Sequence, residues 1–150
     1  MKESYITNWD EWKQQFHYYK EIRIVFSDLD AFGHLNNTGA FKFMELARMD
    51  YLIDHQLLQP SALLTSETFV VVADLQCDFL QQMFYDDVLK LYVQPQHVGN
   101  SSVDLHYMAV NQKGDVTFVG RGALVQISRK TGKAVKWDEA QYQVLTKENI

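Results

Sequence analysis

"FSDLDAFGHLNNTGAFKFMELARMDYL", residues 26–52, decides the fold. Its opening holds two aspartates, a glycine, a histidine and two asparagines, residue types that tolerate irregular backbone and cap helices. From about Thr38 to His55 the pattern becomes helical. Phe41, Met44, Ala47, Tyr51 and Leu52 recur at intervals of three or four, apart from the adjacent last pair. Phe43, Leu46 and Met49 widen that apolar face almost all round, leaving Lys42, Glu45 and Arg48 as a narrow polar stripe. A helix with so little polar surface is largely buried, and burying it requires a sheet that curves around it.

Working outward, Lys20–Ser27 alternates, with Ile22, Ile24 and Phe26 on one face and Arg23, Val25 and Ser27 on the other, as in a strand. Downstream of Pro60, residues 67–79 carry the clearest period-two signal in the chain. Phe69, Val71, Ala73, Leu75, Cys77 and Phe79 share one face of a single predicted strand. Three more strands follow: "DVLKLYVQPQHV", where Pro95 marks an edge or a bulge, "SVDLHYMAVN" and "VTFVGRGALVQIS". The last two are joined by the turn "QKGD", and short turns of this kind imply antiparallel pairing. Trp9, Trp12 and Phe16 give residues 8–16 the spacing of a short amphipathic helix that covers the core, capped by Thr7 or Asn8. "WDEAQYQVLTK" reads as a closing helix. No repeat or linker divides residues 1–150, so one domain is expected.

Hydrophobic residues make up 47% of the 150, enough for a real core. A net charge of -5 argues against a duplex-binding protein with a broad basic face. The single cysteine, Cys77, excludes an intrachain disulfide and fits a reducing compartment. No signal-peptide core or membrane-length apolar run is present, so a cytoplasmic protein is expected, with neither nucleic acid nor membrane as partner. The five histidines show no metal-ligand spacing, and no metal is expected. Ser101 and Ser102 lack a nucleophile elbow and read as turn residues.

The chemistry concentrates where strand meets helix. Asp30 leaves a strand close to the first turn of the helix, whose unpaired N–H groups form an electropositive end. Those groups can hold a developing oxyanion, while the carboxylate activates water or attacks a carbonyl carbon. That combination suits cleavage of an ester or thioester. The same residues also serve as ordinary turn and cap residues, and on local composition alone this simpler reading is the more economical.

The motif shifts that balance. Asp28, Asp30, Gly33, His34, Asn36, Asn37, Glu45, Ala47 and Arg48 follow the pattern D-x-D, G-H-x-N-N and E-x-A-R. Over roughly residues 20–130 the chain resembles the hotdog-fold acyl-CoA thioesterases typified by 4-hydroxybenzoyl-CoA thioesterase. "FLQQMFYDDVLKL", with Asp87, and "VGNSSVDLHYMAV" support the likeness. The resemblance implies an α+β hotdog fold, an antiparallel sheet of about five strands wrapped around one long central helix. It implies hydrolysis of an acyl-CoA thioester to a carboxylic acid and coenzyme A, with coenzyme A entering only as part of the substrate and no cofactor. Asp30 becomes the catalytic carboxylate, the backbone N–H of Asn37 the oxyanion donor, and Asp28 a structural residue.

His34 takes a supporting role, orienting the turn, while Gly33 and Asn36 flank the substrate. Glu45 pairs with Lys42 or Arg48. Arg129, Lys130 and Lys133 in "RKTGK", with Arg121 before them, are the candidate cations for coenzyme A phosphates; a solvated hairpin tip explains them equally well. Resembling proteins are homodimers or homotetramers. The departure from the pattern is Ala40, where an aromatic is usual. A hotdog enoyl-CoA hydratase or dehydratase, and a non-catalytic acyl-CoA-binding hotdog protein, are the alternatives.

Overall fold

A computed structural model describes residues 3–147. A short helix α1 (Trp9–Gln14), capped by the side chain of Asn8, precedes strand β1 (Tyr18–Arg23). Helix α2 (Asn37–Asp54), the longest, follows an irregular loop. Strands β2 (Thr68–Val72), β3 (Gln76–Phe79), β4 (Val88–Val98), β5 (Ser102–Val110) and β6 (Val116–Ser128) come next, and helix α3 (Glu139–Lys147) ends the described chain. The strands form one curled antiparallel sheet in the order β1-β4-β5-β6-β2, with β3 also paired to β6.

Six strands stand where about five were expected, because residues 67–79 do not form one run. Val72 pairs with Leu124 and Gln76 with Arg121, so Ala73, Asp74 and Leu75 face only Gly122 and Ala123. This is a β-bulge. The Asp74 carboxylate accepts the Ala123 N–H at 2.8 Å, and Arg121 is bidentate to the same carboxylate. The extra residue reverses the facing. Val70 packs on the core before the bulge, and Leu75 and Cys77 do so after it, so the uninterrupted alternation predicted from sequence does not hold. Burial, with Asp78 adding to it, pushes the Cys77 thiol up to about 12, leaving it a packing residue.

Residues 26–52 depart from expectation at two positions. Phe26 was expected beside Ile22 and Ile24, yet it is 81% exposed. The strand stops at Arg23, and the Asp28 carboxylate takes the Val25 N–H at 2.8 Å, turning Phe26–Asp28 into one tight helical turn. Arg48 was expected in the polar stripe, yet it is only 6% exposed and donates to the Tyr107 hydroxyl at 3.3 Å. Its aliphatic stem is long enough to cover apolar surface while the head finds polar partners.

The buried face of α2 (Ala40, Phe43, Met44, Ala47, Tyr51, Leu52) meets Leu89, Leu91, Val93, Leu105, Tyr107 and Phe118 in the main core. Gly120 sets how closely helix and sheet approach: a Cβ there would lie 2.8 Å from Met44 Cε and 2.6 Å from the Gln76 carbonyl oxygen. Trp12, Phe16, Met108 and Val119 form a second cluster under α1. There the indole N–H of Trp12 donates to His106 Nδ1 at 2.8 Å, which puts the histidine proton on Nε2, 3.1 Å from Asp104. Burial alone would raise the Asp104 carboxyl, but hydrogen bonds from His106 and Arg121 outweigh it and hold the group at about 2. Pro95 sits beside a bulge in β4, past the stretch that β1 covers. Among the described residues no helix is long and apolar enough to cross a membrane.

Candidate active site

After β1, Ile24 exchanges backbone hydrogen bonds with Asp86 and Asp87. The chain then folds back on itself. Leu29 bridges Leu35, the Asp30 N–H donates to the His34 carbonyl at 2.8 Å, and the Gly33 N–H donates to the Asp30 carbonyl at 3.1 Å. The loop tip needs a left-handed residue, and Gly33 supplies it with φ 80° at little steric cost.

Within this loop the half-buried Asp30 is held by one oxygen. Its Oδ1 accepts the N–H of Phe32 at 2.9 Å and of His34 at 3.2 Å. Its Oδ2 has no hydrogen-bond partner among the described residues. The Asn36 side chain caps α2, accepting the Thr38 N–H at 3.0 Å and the Thr38 hydroxyl at 2.9 Å. Asn37 is the first helical residue, where the N–H has no partner inside the helix. Gly39 lets the first turn sit against Leu35, because a Cβ there would come within 2.9 Å of Leu35 Cδ1. Ala40 is fully buried in the core.

Asp30, His34 and Asn37 line one wall of a cavity of about 290 Å³. The other wall is Phe79–Met83, the last residue of β3 and the segment that follows it. No site role was assigned to that wall from sequence, although the doubled glutamine breaking an apolar run was a visible signal. The Met83 carbonyl accepts the Leu35 N–H at 2.8 Å, so the two walls are tied together. Asp30 and the first residue of α2 thus border one small space, the pairing of a carboxylate with a helix N-terminus that hydrolysis of an activated carbonyl uses.

The other sequence candidates lie elsewhere. Gly33 is at the exposed loop tip and Asn36 is committed to its cap; neither lines the cavity. Asp28 holds the Val25 amide and, through its carbonyl, the Asn36 N–H. Arg129 donates to the carbonyls of Ser66 and Leu63 at 2.8 and 3.0 Å and lies over the Phe69 ring. Lys130 and Lys133 are exposed nearby. Phe79 pairs with Phe118 near the start of β6, whereas Arg129 follows its end. Along the strand that is roughly 35 Å, at ~3.3 Å per residue, so a single chain does not bring this tip to the cavity. Arg121 is clamped between Asp74 and Asp104 and offers no free charge to a phosphate.

A family model described as "Thioesterase-like superfamily" matches residues 24–145. The uncharacterized protein YsmA of Bacillus subtilis (strain 168) is 36% identical over 135 residues, which cover 90% of this chain and 89% of that one. Among solved structures, the PA5185 protein from Pseudomonas aeruginosa strain PAO1 superposes with TM-score 0.81 at 21% identity, over 91% of this chain and 94% of that one. A DHNA-CoA thioesterase from Staphylococcus aureus superposes with TM-score 0.77 at 20% identity, over 86% and 88%.

Proposed function

The chain belongs to the thioesterase-like superfamily, and from that membership and the cavity geometry we propose that it hydrolyses an acyl-CoA thioester to a carboxylic acid and coenzyme A. One observation carries the reading: the uncommitted oxygen of Asp30 belongs to a residue lining the same cavity as Asn37, at the mouth of α2. The sheet is read as the wrap of a hotdog fold with α2 as its central helix.

The thioester carbonyl sits with its oxygen toward the Asn37 N–H, which carries the developing negative charge. Asp30 Oδ2 takes a proton from water as the water oxygen bonds to the carbonyl carbon. The C–S bond then breaks, and the thiolate leaves as the carboxylic acid of Asp30 returns its proton. Attack by Asp30 itself, through an anhydride that water opens, would use the same oxygen. His34 supports either route by holding Oδ1 with its backbone N–H, which fixes where Oδ2 points.

The deciding experiment is a thiol-release assay across a panel of acyl-CoAs, run with enoyl-CoA absorbance and direct binding on the same samples. Thiol release from at least one member is expected. Loss of enoyl absorbance without thiol would show a hydratase, and binding without turnover a non-catalytic carrier.

The tip cations fit the same reading only in a homodimer or larger assembly, where the tip of one copy reaches the cavity of another. Lys130→Glu and Lys133→Glu should then raise KM for acyl-CoA several-fold with kcat unchanged, the signature of lost uniform binding. An unchanged KM removes the tip from the substrate site. Arg129 is a poorer probe, since its two carbonyl contacts brace the loop before β2.

A further inference from the structure

A line of hydrogen bonds and one packing contact runs into the Asp30 loop from a distant hairpin. Gln112, in the turn between β5 and β6, accepts the Val88 N–H on Oε1 at 3.0 Å and donates from Nε2 to Asp87 Oδ1 at 2.8 Å. Asp87 accepts the Phe84 N–H on Oδ2 at 2.9 Å, and its own N–H donates to the Phe84 carbonyl at 3.1 Å. Phe84 stands opposite His34 in an isolated antiparallel bridge next to the Leu35 N–H to Met83 carbonyl bond, and its ring meets the His34 ring edge-on at 5.3 Å. His34 in turn donates to Asp30 Oδ1. The turn under tension is Asp86, a non-glycine residue at φ 70° tied by an ion pair to Arg23. Strain of this kind persists only where the surroundings over-determine it.

We infer that Asp87, oriented by Gln112, is a positioning residue for the Asp30 carboxylate, acting through the Phe84–His34 bridge. Asp87 touches no substrate in this scheme and lines no part of the cavity. The inference rests on the thioesterase reading for its kinetic consequence, and on this line of contacts alone for its structural one.

Donor and acceptor roles along this line are fixed, which gives a sharp test. In Asp87→Asn the amide oxygen must stay on the Phe84 N–H. Its NH₂ then faces the NH₂ of Gln112, which cannot turn over without presenting a donor to the Val88 N–H. Adding Gln112→Glu supplies acceptors to both neighbours and completes the line again. Positioning errors near 1 Å cost about 10²-fold in rate. Asp87→Asn should therefore lower kcat for the best acyl-CoA by about 10- to 100-fold with KM within about twofold. The double variant should return kcat to within about threefold of wild type. The backbone amide proton of His34, followed by NMR, should move in the single variant and return in the double.

A wild-type kcat in Asp87→Asn, or a loss that Gln112→Glu does not repair, overturns the inference. So does a loss with the His34 amide unmoved. If Asp87→Asn does not fold, Gln112→Glu alone sets carboxylate against carboxylate at an exposed turn and should show the same loss, and full activity there is equally decisive against it. Absence of thiol release by the wild type would defeat the thioesterase reading instead, and the His34 resonance would still report on the line.

Discussion

Asp30→Asn is expected to fold normally and to hydrolyse thioesters about 10²–10⁴-fold more slowly than wild type, the usual loss when a positioned base is removed. The asparagine oxygen can replace Oδ1 and accept from Phe32 and His34. That forces the NH₂ into the place of Oδ2, where it can neither take a proton nor attack carbon. Asp28→Asn is the matched control. Its carboxylate serves the Val25 N–H, which an amide oxygen can also accept, so the loss should be smaller. Steady-state thiol release with thermal melting on the same preparations checks both. Wild-type turnover by purified Asp30→Asn would remove Asp30 from the mechanism.

The largest expected effect on stability is at Gly120, where alanine should destabilise by about 3 kcal/mol, the upper part of the usual range for overpacking a core. Two atoms stand in the way of the new methyl. Met44 Cε can swing aside, because methionine has free rotors. The Gln76 carbonyl oxygen belongs to the backbone of β3, and moving it separates β3 from β6. Since β3 leads into Phe79 and the second cavity wall, the variant should also lose activity beyond its unfolded fraction. Denaturant unfolding measures the first effect, and a shift worth less than about 0.5 kcal/mol, within the range of neutral surface changes, would show that the strands yield easily.

Strong periodicity made most of the framework readable in the sequence. The helix expected from Thr38 to His55 is Asn37–Asp54, and β4, β5 and β6 fall where alternating runs and turn residues placed them. The turn holding Asp30, His34 and Asn37 was legible because its residue types are specific to irregular backbone and helix entry, and the three do meet at one cavity. What was hidden depends on partners remote in sequence. The bulge at Ala73–Leu75 is invisible to a period-two reading, since its cause is a carboxylate bound to β6. Phe26 looked like a core residue until Asp28 ended the strand beneath it. The charge of Arg129 pointed to phosphate, whereas its partners are the carbonyls of Leu63 and Ser66. The Phe79–Met83 wall carries no charge pattern, and the pairing of Leu35 with Met83 brings it across.

The unpaired residue between β2 and β3 has a consequence for how this ribbon can change length. Val70 and Leu75 point to the same oily side only because an odd insertion lies between them. Deleting one amino acid there would set two residues against Gly122 and Ala123, giving a regular ladder in which Val70 and the Leu75–Cys77 pair still face the core. Removing two would leave one residue against that pair, and an unbroken alternation would then turn either Val70 or the Leu75–Cys77 pair out to water. This joint should thus tolerate loss of one residue better than loss of two.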